Sequence, residues 1–215
     1  QALQHLAESS EDGNATQRVR VLAELMKLRR LCCHPQLVLP DWNANCSKLD
    51  LLDETVSDLL DNNHKALIFS QFTDHLKLIA ERMDKQGVSY QYLDGSMTQK
   101  KRQEAVDAFQ AGSGDVFLIS LKAGGFGLNL TAADYVIHMD PWWNPAVENQ
   151  ASDRVHRIGQ KRPVTIYRMI TKGTIEEKIV DLHQRKEQLA RDILEETGSP
   201  TKVSLDELMA LLREE

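Results

Sequence analysis

Between residues 65 and 170 the chain alternates short apolar runs with longer helical patterns, and this alternation narrows the choice of fold more than any other feature. The runs are KALIFS (65–70), SYQYLD (89–94), DVFLIS (115–120), YVIHMD (135–140) and VTIYRMI (164–170). The first, third and fourth are nearly continuously apolar, as strands covered on both faces must be. Helical spacing fills most of the gaps, at 72–86, 98–111 and 145–157. Strands that alternate with helices predict right-handed crossovers and an α/β fold, with a mostly parallel central sheet between helices.

The flanks read as helices. TQRVRVLAELMKLRRLCC (16–33) places apolar residues at 21, 22, 25, 28 and 31, and His34-Pro35 stops it. Ser47 is the expected N-cap of KLDLLDETVSDLLDN, which ends at Asn62-Asn63. Thr174, with Glu177 three residues on, predicts a capping box at the start of a long helix running to Gly198. SLDELMALL (204–212) has the pattern of a short amphipathic helix. The expected organisation is a helical segment at 1–46, an α/β body at 47–172 and a helical extension at 173–215.

Hydrophobic residues at 41% and charged residues at 27% are ordinary for a globular chain. No apolar run approaches the eighteen or so residues of a membrane span. The start, QALQHLAESSEDG, has no secretory pattern and no initiator Met, so an internal domain or fragment is expected. Three cysteines, two of them adjacent, argue for a reducing compartment. Cys32, Cys33, His34 and Cys46 are poorly spaced for one tetrahedral ion, and read instead as small residues buried at a helix end. A net charge of −6 excludes a surface coated in positive potential, though not a local basic strip.

In an open parallel sheet, ligands gather beyond the carboxyl ends of the strands. The unusual residues fall there. KAGGFGLNL (122–130) offers glycines that let backbone approach a phosphate, but no G-x-x-x-x-G-K-[ST] loop exists in the chain. DGSMTQKKRQEAV (94–106) is a strand-to-helix turn with Thr98 as expected N-cap. There Gly95 and Ser96 offer donors to a nucleic-acid backbone, with Lys100, Lys101 and Arg102 nearby, or else the run is a solvated basic helix start. DPWWNP (140–145) places two tryptophans in a rigid turn, with one expected to brace the core and the other to be more exposed. In QASDRVHRIGQ (150–160), Gln150, Arg154 and Arg157 share one helical stripe, and Val147, Ala151, Val155 and Ile158 another. Two guanidiniums held so close call for an anion. Asp140, Glu148 and Asp153 are the internal candidates; a polyphosphate is the external one.

The set LRRLCCHPQL, KALIFSQFTDHL, YLDGSMTQKKRQ, LISLKAGGFGLNLTAADYVIHMDPWWNP and QASDRVHRIGQKRPVTIYRMI resembles the second RecA-like lobe of the SWI/SNF-type family of helicase-related, DNA-dependent ATPases. The resemblance covers roughly residues 18–185 with motifs IV, V and VI in order, and SLDELMALL resembles the end of bacterial members. It implies a RecA-like three-layer sandwich, with residues 1–46 as the inter-lobe segment. ATP would be clamped between this lobe and a missing N-terminal lobe that carries the Walker A lysine and holds Mg2+, leaving no metal site in this one. Arg154 and Arg157 match the motif VI arginines, with Arg157 as the finger on the γ-phosphate. Gln150, Gln160, Gly125 and Gly127 would belong to the ATP side. Gly95, Ser96, Lys100, Lys101, Lys122, Asn129 and Trp143 would face DNA. The implied function is that of a double-stranded-DNA translocase or remodeller, with this lobe inactive alone. Its partners would be duplex DNA, the N-terminal lobe, and RNA polymerase or another DNA-bound protein; no membrane is implied. A strand-separating DNA or RNA helicase, or a lobe kept as a non-catalytic binding module, are the alternatives. The implied site is cytoplasmic or nucleoid for a bacterial protein and nuclear for a eukaryotic one.

Overall fold

The apolar runs pair as the alternation predicts. In the computed structural model, which describes residues 14–123, 130–152 and 162–194, five strands form one sheet in the order β2-β3-β1-β4-β5. They are β1 (Ala66–Ser70), β2 (Tyr90–Leu93), β3 (Val116–Ser120), β4 (Tyr135–His138) and β5 (Thr165–Arg168). Every pairing is parallel, with Ala66 opposite Val116 on one side and Tyr135 on the other. β1 and β3 are buried at every position, the reason they carry no polar alternation.

The helices are α1 (Asn14–Cys33), α2 (Ser47–Asp61), α3 (Thr73–Gln86), α4 (Gln99–Gln110), α5 (Pro145–Ser152) and α6 (Ile175–Leu194). Strand periodicity sorts them into layers. Ala66, Ile68, Val116, Leu118 and Ile137 point to one face, where α2 supplies Leu49, Leu52, Val56 and Leu59 and α3 supplies Leu76, Ile79 and Met83. Leu67, Phe69, Phe117, Ile119 and Val136 point to the other, against Val106 and Phe109 of α4 and Ala151 of α5. The result is a three-layer α/β sandwich. α1 stands outside both layers and buries Val21 and Leu25 against Ile175 and Ile179 of α6.

Two of the expected helix starts differ in detail. The N-cap of α2 is Cys46, with no side-chain bond, because the amides of Leu49 and Asp50 already turn back onto its carbonyl; Ser47 is the first helical residue. At α6, Thr174 Oγ1 does accept from the Glu176 amide, but the Glu177 carboxylate reaches one residue further back, to the amide of Gly173. The stop at Asn62-Asn63 is as expected, with Asn63 in the left-handed region at φ 58° and the His64 amide donating to Leu59.

One ion pair ties the layers together at the carboxyl edge of the sheet. Lys48 of α2 donates to both carboxylate oxygens of Glu176 of α6, at 2.7 and 2.6 Å, and to the carbonyl of Met139 just past β4. Both side chains are almost completely buried, so each charge depends on the other for compensation. Glu176→Leu alone should therefore destabilise the chain by about 3–5 kcal/mol in urea unfolding, by stranding the Lys48 ammonium. Lys48→Met together with Glu176→Leu should recover most of that loss. Equal losses in the single and double variants would show that the pair does not carry the coupling.

Candidate functional site

Because all five strands are parallel, their carboxyl ends share one rim. The crossover from β1 passes through α3 on one face, and that from β4 through α5 on the other. β1 and β4 are neighbours, so the connections part between them and open the crevice where such sheets receive ligands. Here that crevice is filled by the chain itself. Asp140, 1% exposed, accepts from the Ser70 hydroxyl and, at 3.3 Å, from the Gln71 amide. Burial pushes its carboxyl above the ordinary range, with Ser70 and Arg29 pulling the other way. Arg29 comes in from α1, 1% exposed, and donates through Nη2 to the carbonyl of Pro141. Its guanidinium carbon lies 4.8 Å from the ring centre of Trp143, 5.9 Å from Trp142 and 5.7 Å from Phe72. Burial lowers its pKa, and the charge of Asp140 opposes that shift.

The turn and the helix after it form one unit. Glu148 of α5 accepts from the amide of Trp142 at 2.6 Å and from Arg168 Nε, at the end of β5, at 2.9 Å. At the far end of α5, Ser152 Oγ donates to the Glu148 carbonyl at 3.1 Å and lies 3.0 Å from His138 Nε2. A hydroxyl has one proton to give, so Nε2 of His138 carries the hydrogen that bridges the two side chains. His138 is the last residue of β4, so α5 lies across the rim and its final turn, with Gln150, stays there.

The half of the rim beyond β2 and β3 is basic. Lys100 and Lys101 are exposed on the first turn of α4, and Lys122 is exposed past β3. Thr98 caps α4 as expected, accepting from the Lys101 amide. Gly95 and Ser96 are exposed at the turn, but the amide and hydroxyl of Ser96 both donate to Asp94, at 2.9 and 2.6 Å. Burial acts to raise the Asp94 pKa, yet those bonds and that of the Tyr92 hydroxyl hold it below the usual value. Arg102 is occupied within the turn, donating to the carbonyls of Met97 and Gly95.

The structure thus brings Gly95, Ser96, Lys100, Lys101, Lys122, Trp143 and Gln150 to one edge, in two groups either side of the β1–β4 crevice. Gly125, Gly127, Asn129, Arg154, Arg157 and Gln160 lie outside the described residues. The tryptophans do not divide into one buried and one exposed ring: both are partly buried, and Trp143 packs against Val21, Leu25, Ile175 and Ile179. Arg29 lies within LRRLCCHPQL and Glu148 among the carboxylates weighed above, but nothing in the sequence shows that these two fix the turn. Two of the three carboxylates weighed as internal partners for the arginine pair, Asp140 and Glu148, are engaged elsewhere.

The cysteines do not gather as a zinc set. Cys33 and Cys46 are buried, and His34 Nδ1 accepts from the Gln36 amide. Among the described residues, the metal-ligating types that do converge are Cys33, His75 and Asp140, whose donor atoms lie within 4.8 Å of one another. Both Asp140 oxygens are already bonded, and the charges of Arg29 and Lys48 act on this cluster, so positive charge comes from side chains.

The family described as the helicase conserved C-terminal domain matches residues 47–159. A putative ATP-dependent helicase/translocase, YwqA of Bacillus subtilis, is 41% identical over 197 residues, 89% of this chain and 21% of that protein. A mouse SWI/SNF-related, matrix-associated, actin-dependent regulator of chromatin (subfamily A member 1) is 36% identical over 213 residues, 91% of this chain and 20% of its own length. The chain therefore spans about a fifth of these relatives. The Sulfolobus solfataricus SWI2/SNF2 ATPase C-terminal domain superposes with a TM-score of 0.75 at 32% identity, covering 98% of this chain and 89% of that one. The same organism's ATPase core in complex with double-stranded DNA gives 0.75 at 33% identity, over 89% of this chain and 41% of that one.

Buried histidines make the fold acid-sensitive, His75 and His138 most strongly. Burial depresses His75 to about 3 and His138 to about 4, so the folded state keeps both neutral while the unfolded chain protonates them below about 6.5. Their contribution is complete above that value and is lost as pH falls toward 4. Each should remove about 1.5 kcal/mol of stability between pH 6.5 and 5. His75→Leu should take about 1.5 kcal/mol off the acid loss between pH 6.5 and 5 in denaturant titrations, leaving the share of His138 and His34, with stability at pH 7.5 unchanged or higher. An unaltered pH slope would mean that His75 protonates in the folded state.

Proposed function

From the premise that the chain belongs to the SWI/SNF-type family, as a helicase C-terminal domain, we propose that it is the second RecA-like lobe of an ATP-dependent double-stranded-DNA translocase or remodeller. ATP would be bound mainly by an N-terminal lobe of the same protein, with residues 1–46 joining the two. This lobe would add Arg157 as the finger on the γ-phosphate, with Arg154, Gln150 and Gln160 organising the same site. Gly125, Gly127 and Asn129 would link nucleotide to DNA. Alone the lobe would not hydrolyse ATP.

The observation that carries this reading is the state of the rim carboxylates. Asp94, Asp140 and Glu148 each have both oxygens bonded within the fold. Asp140 and Glu148 are thus spent, which favours an external anion as partner of the arginines that follow α5. The chemistry that Mg2+ would supply is neutralisation of charge on the phosphates, and this lobe's own contribution would be its guanidiniums.

On the basic half, Lys100, Lys101 and Lys122 would meet duplex phosphates, with the exposed backbone of Gly95 beside them. Ser96 would first have to give up its bonds to Asp94. Trp143 would act chiefly by holding the shape of the turn. Binding of this kind is independent of sequence and weakens steeply with salt.

Arg157→Ala in the full-length protein should lower DNA-stimulated ATP turnover by about a thousandfold or more while ATP binding persists. Unchanged turnover would sink the finger assignment. Lys100→Ala with Lys101→Ala should flatten the salt dependence of duplex binding, by about one unit of slope for each phosphate that is no longer neutralised. An unaltered slope would move the DNA path off this turn.

A further inference from the structure

The proposed function leaves one large feature unused: a cation buried in the crevice where such sheets normally admit a ligand. We infer that Arg29 is a positioning residue for the ATPase reaction, setting through the Trp142-Trp143 turn the placement of α5, the helix that precedes Arg154 and Arg157 in the chain. The inference rests on the assignment of Arg157 as the finger.

The chain of interactions is continuous from α1 to α5. Arg29 holds the Pro141 carbonyl and places its guanidinium over the rings of Trp143, Trp142 and Phe72. The amide of Trp142, the next residue, is bonded to Glu148, and Glu148 is held in turn by Arg168. A displacement of the turn therefore moves α5. At its other end, Arg29 belongs to α1, which lies in the segment read as joining the two lobes. A shift of that segment would reach the catalytic arginines through one guanidinium.

Stability alone does not account for the choice of residue. Nε and Nη1 of Arg29 are buried and find no hydrogen-bond acceptor among the described residues. A methionine would fill similar volume against the three rings without leaving donors unbonded, and such replacements of buried charges are often neutral or stabilising. What methionine lacks is direction. Arginine combines a planar face for the rings with a fixed donor aimed at one carbonyl. Lysine could supply the donor but could not stack flat.

The test is a cycle in the full-length protein with Arg29→Met, Arg157→Ala and both together. Arg29→Met should lower the DNA-stimulated kcat on the order of ten- to a hundredfold with KM for ATP unchanged, because misplacement of about an ångström is enough for such a loss. In the Arg157→Ala background the same change should cost less than about twofold, since the two substitutions remove one effect. An unchanged kcat, or the full loss repeated in that background, overturns the proposal. If Arg157→Ala itself has no effect, the functional reading fails, and the proposal is then judged on the 215-residue chain. With Trp42→Phe, tryptophan emission there comes from Trp142 and Trp143 alone. Arg29→Met should increase its quenching by iodide, and equal quenching overturns the proposed stacking. Should Arg29→Met fail to fold, Arg29→Lys is read by the same two measures, with partial losses expected and wild-type values counting against the proposal.

Discussion

A carboxylate at a strand end, almost wholly out of water, must find its compensation inside the protein, and the way Asp140 does so organises this rim. Its oxygens draw in the Ser70 hydroxyl and the Gln71 amide, binding β4 to the exit of β1. Its charge helps retain Arg29, which in turn holds the next carbonyl, that of Pro141. The neighbouring Lys48–Glu176 pair anchors the carbonyl of Met139 on the other side. The crevice between β1 and β4 therefore holds the chain's own charges.

That division gives the rim two characters. On the β2–β3 side lie exposed lysines and a turn tightened by Asp94 and Arg102. On the β4–β5 side lies a rigid unit of two tryptophans, Glu148 and α5, with Arg168 and Ser152 as its supports. In the proposed reading the first side grips duplex phosphate and the second presents arginines to a triphosphate. In that reading the arrangement would suit a lobe that moves against a partner, because the α5 side is tied to α1 while the 94–102 turn is tied to the sheet.

Much of this was legible in the residues. KALIFS and DVFLIS announce buried parallel strands by having no polar alternation, and Asn62-Asn63 and Thr98 mark their helix boundaries by local chemistry. The glycines and lysines of the rim could be placed from strand ends alone. Ser96 could not be judged in the same way: nothing local shows that Asp94 would take both its donors. Nor did DPWWNP reveal that both rings would be partly buried beneath an arginine more than a hundred residues earlier in the chain.

The sequence by itself determined the period of each element, hence the strands, the helices, the parallel sheet and the edge to which the rim residues come, because these depend on backbone preference and on which side chains avoid water. Tertiary structure alone decided how the charges pair. Arg29 meets Pro141, Lys48 meets Glu176 and Arg168 meets Glu148 across long stretches of chain, and a long-range electrostatic partner leaves no periodic trace in a sequence. Burial sets the strength of each such pair, and burial exists only once the layers have closed.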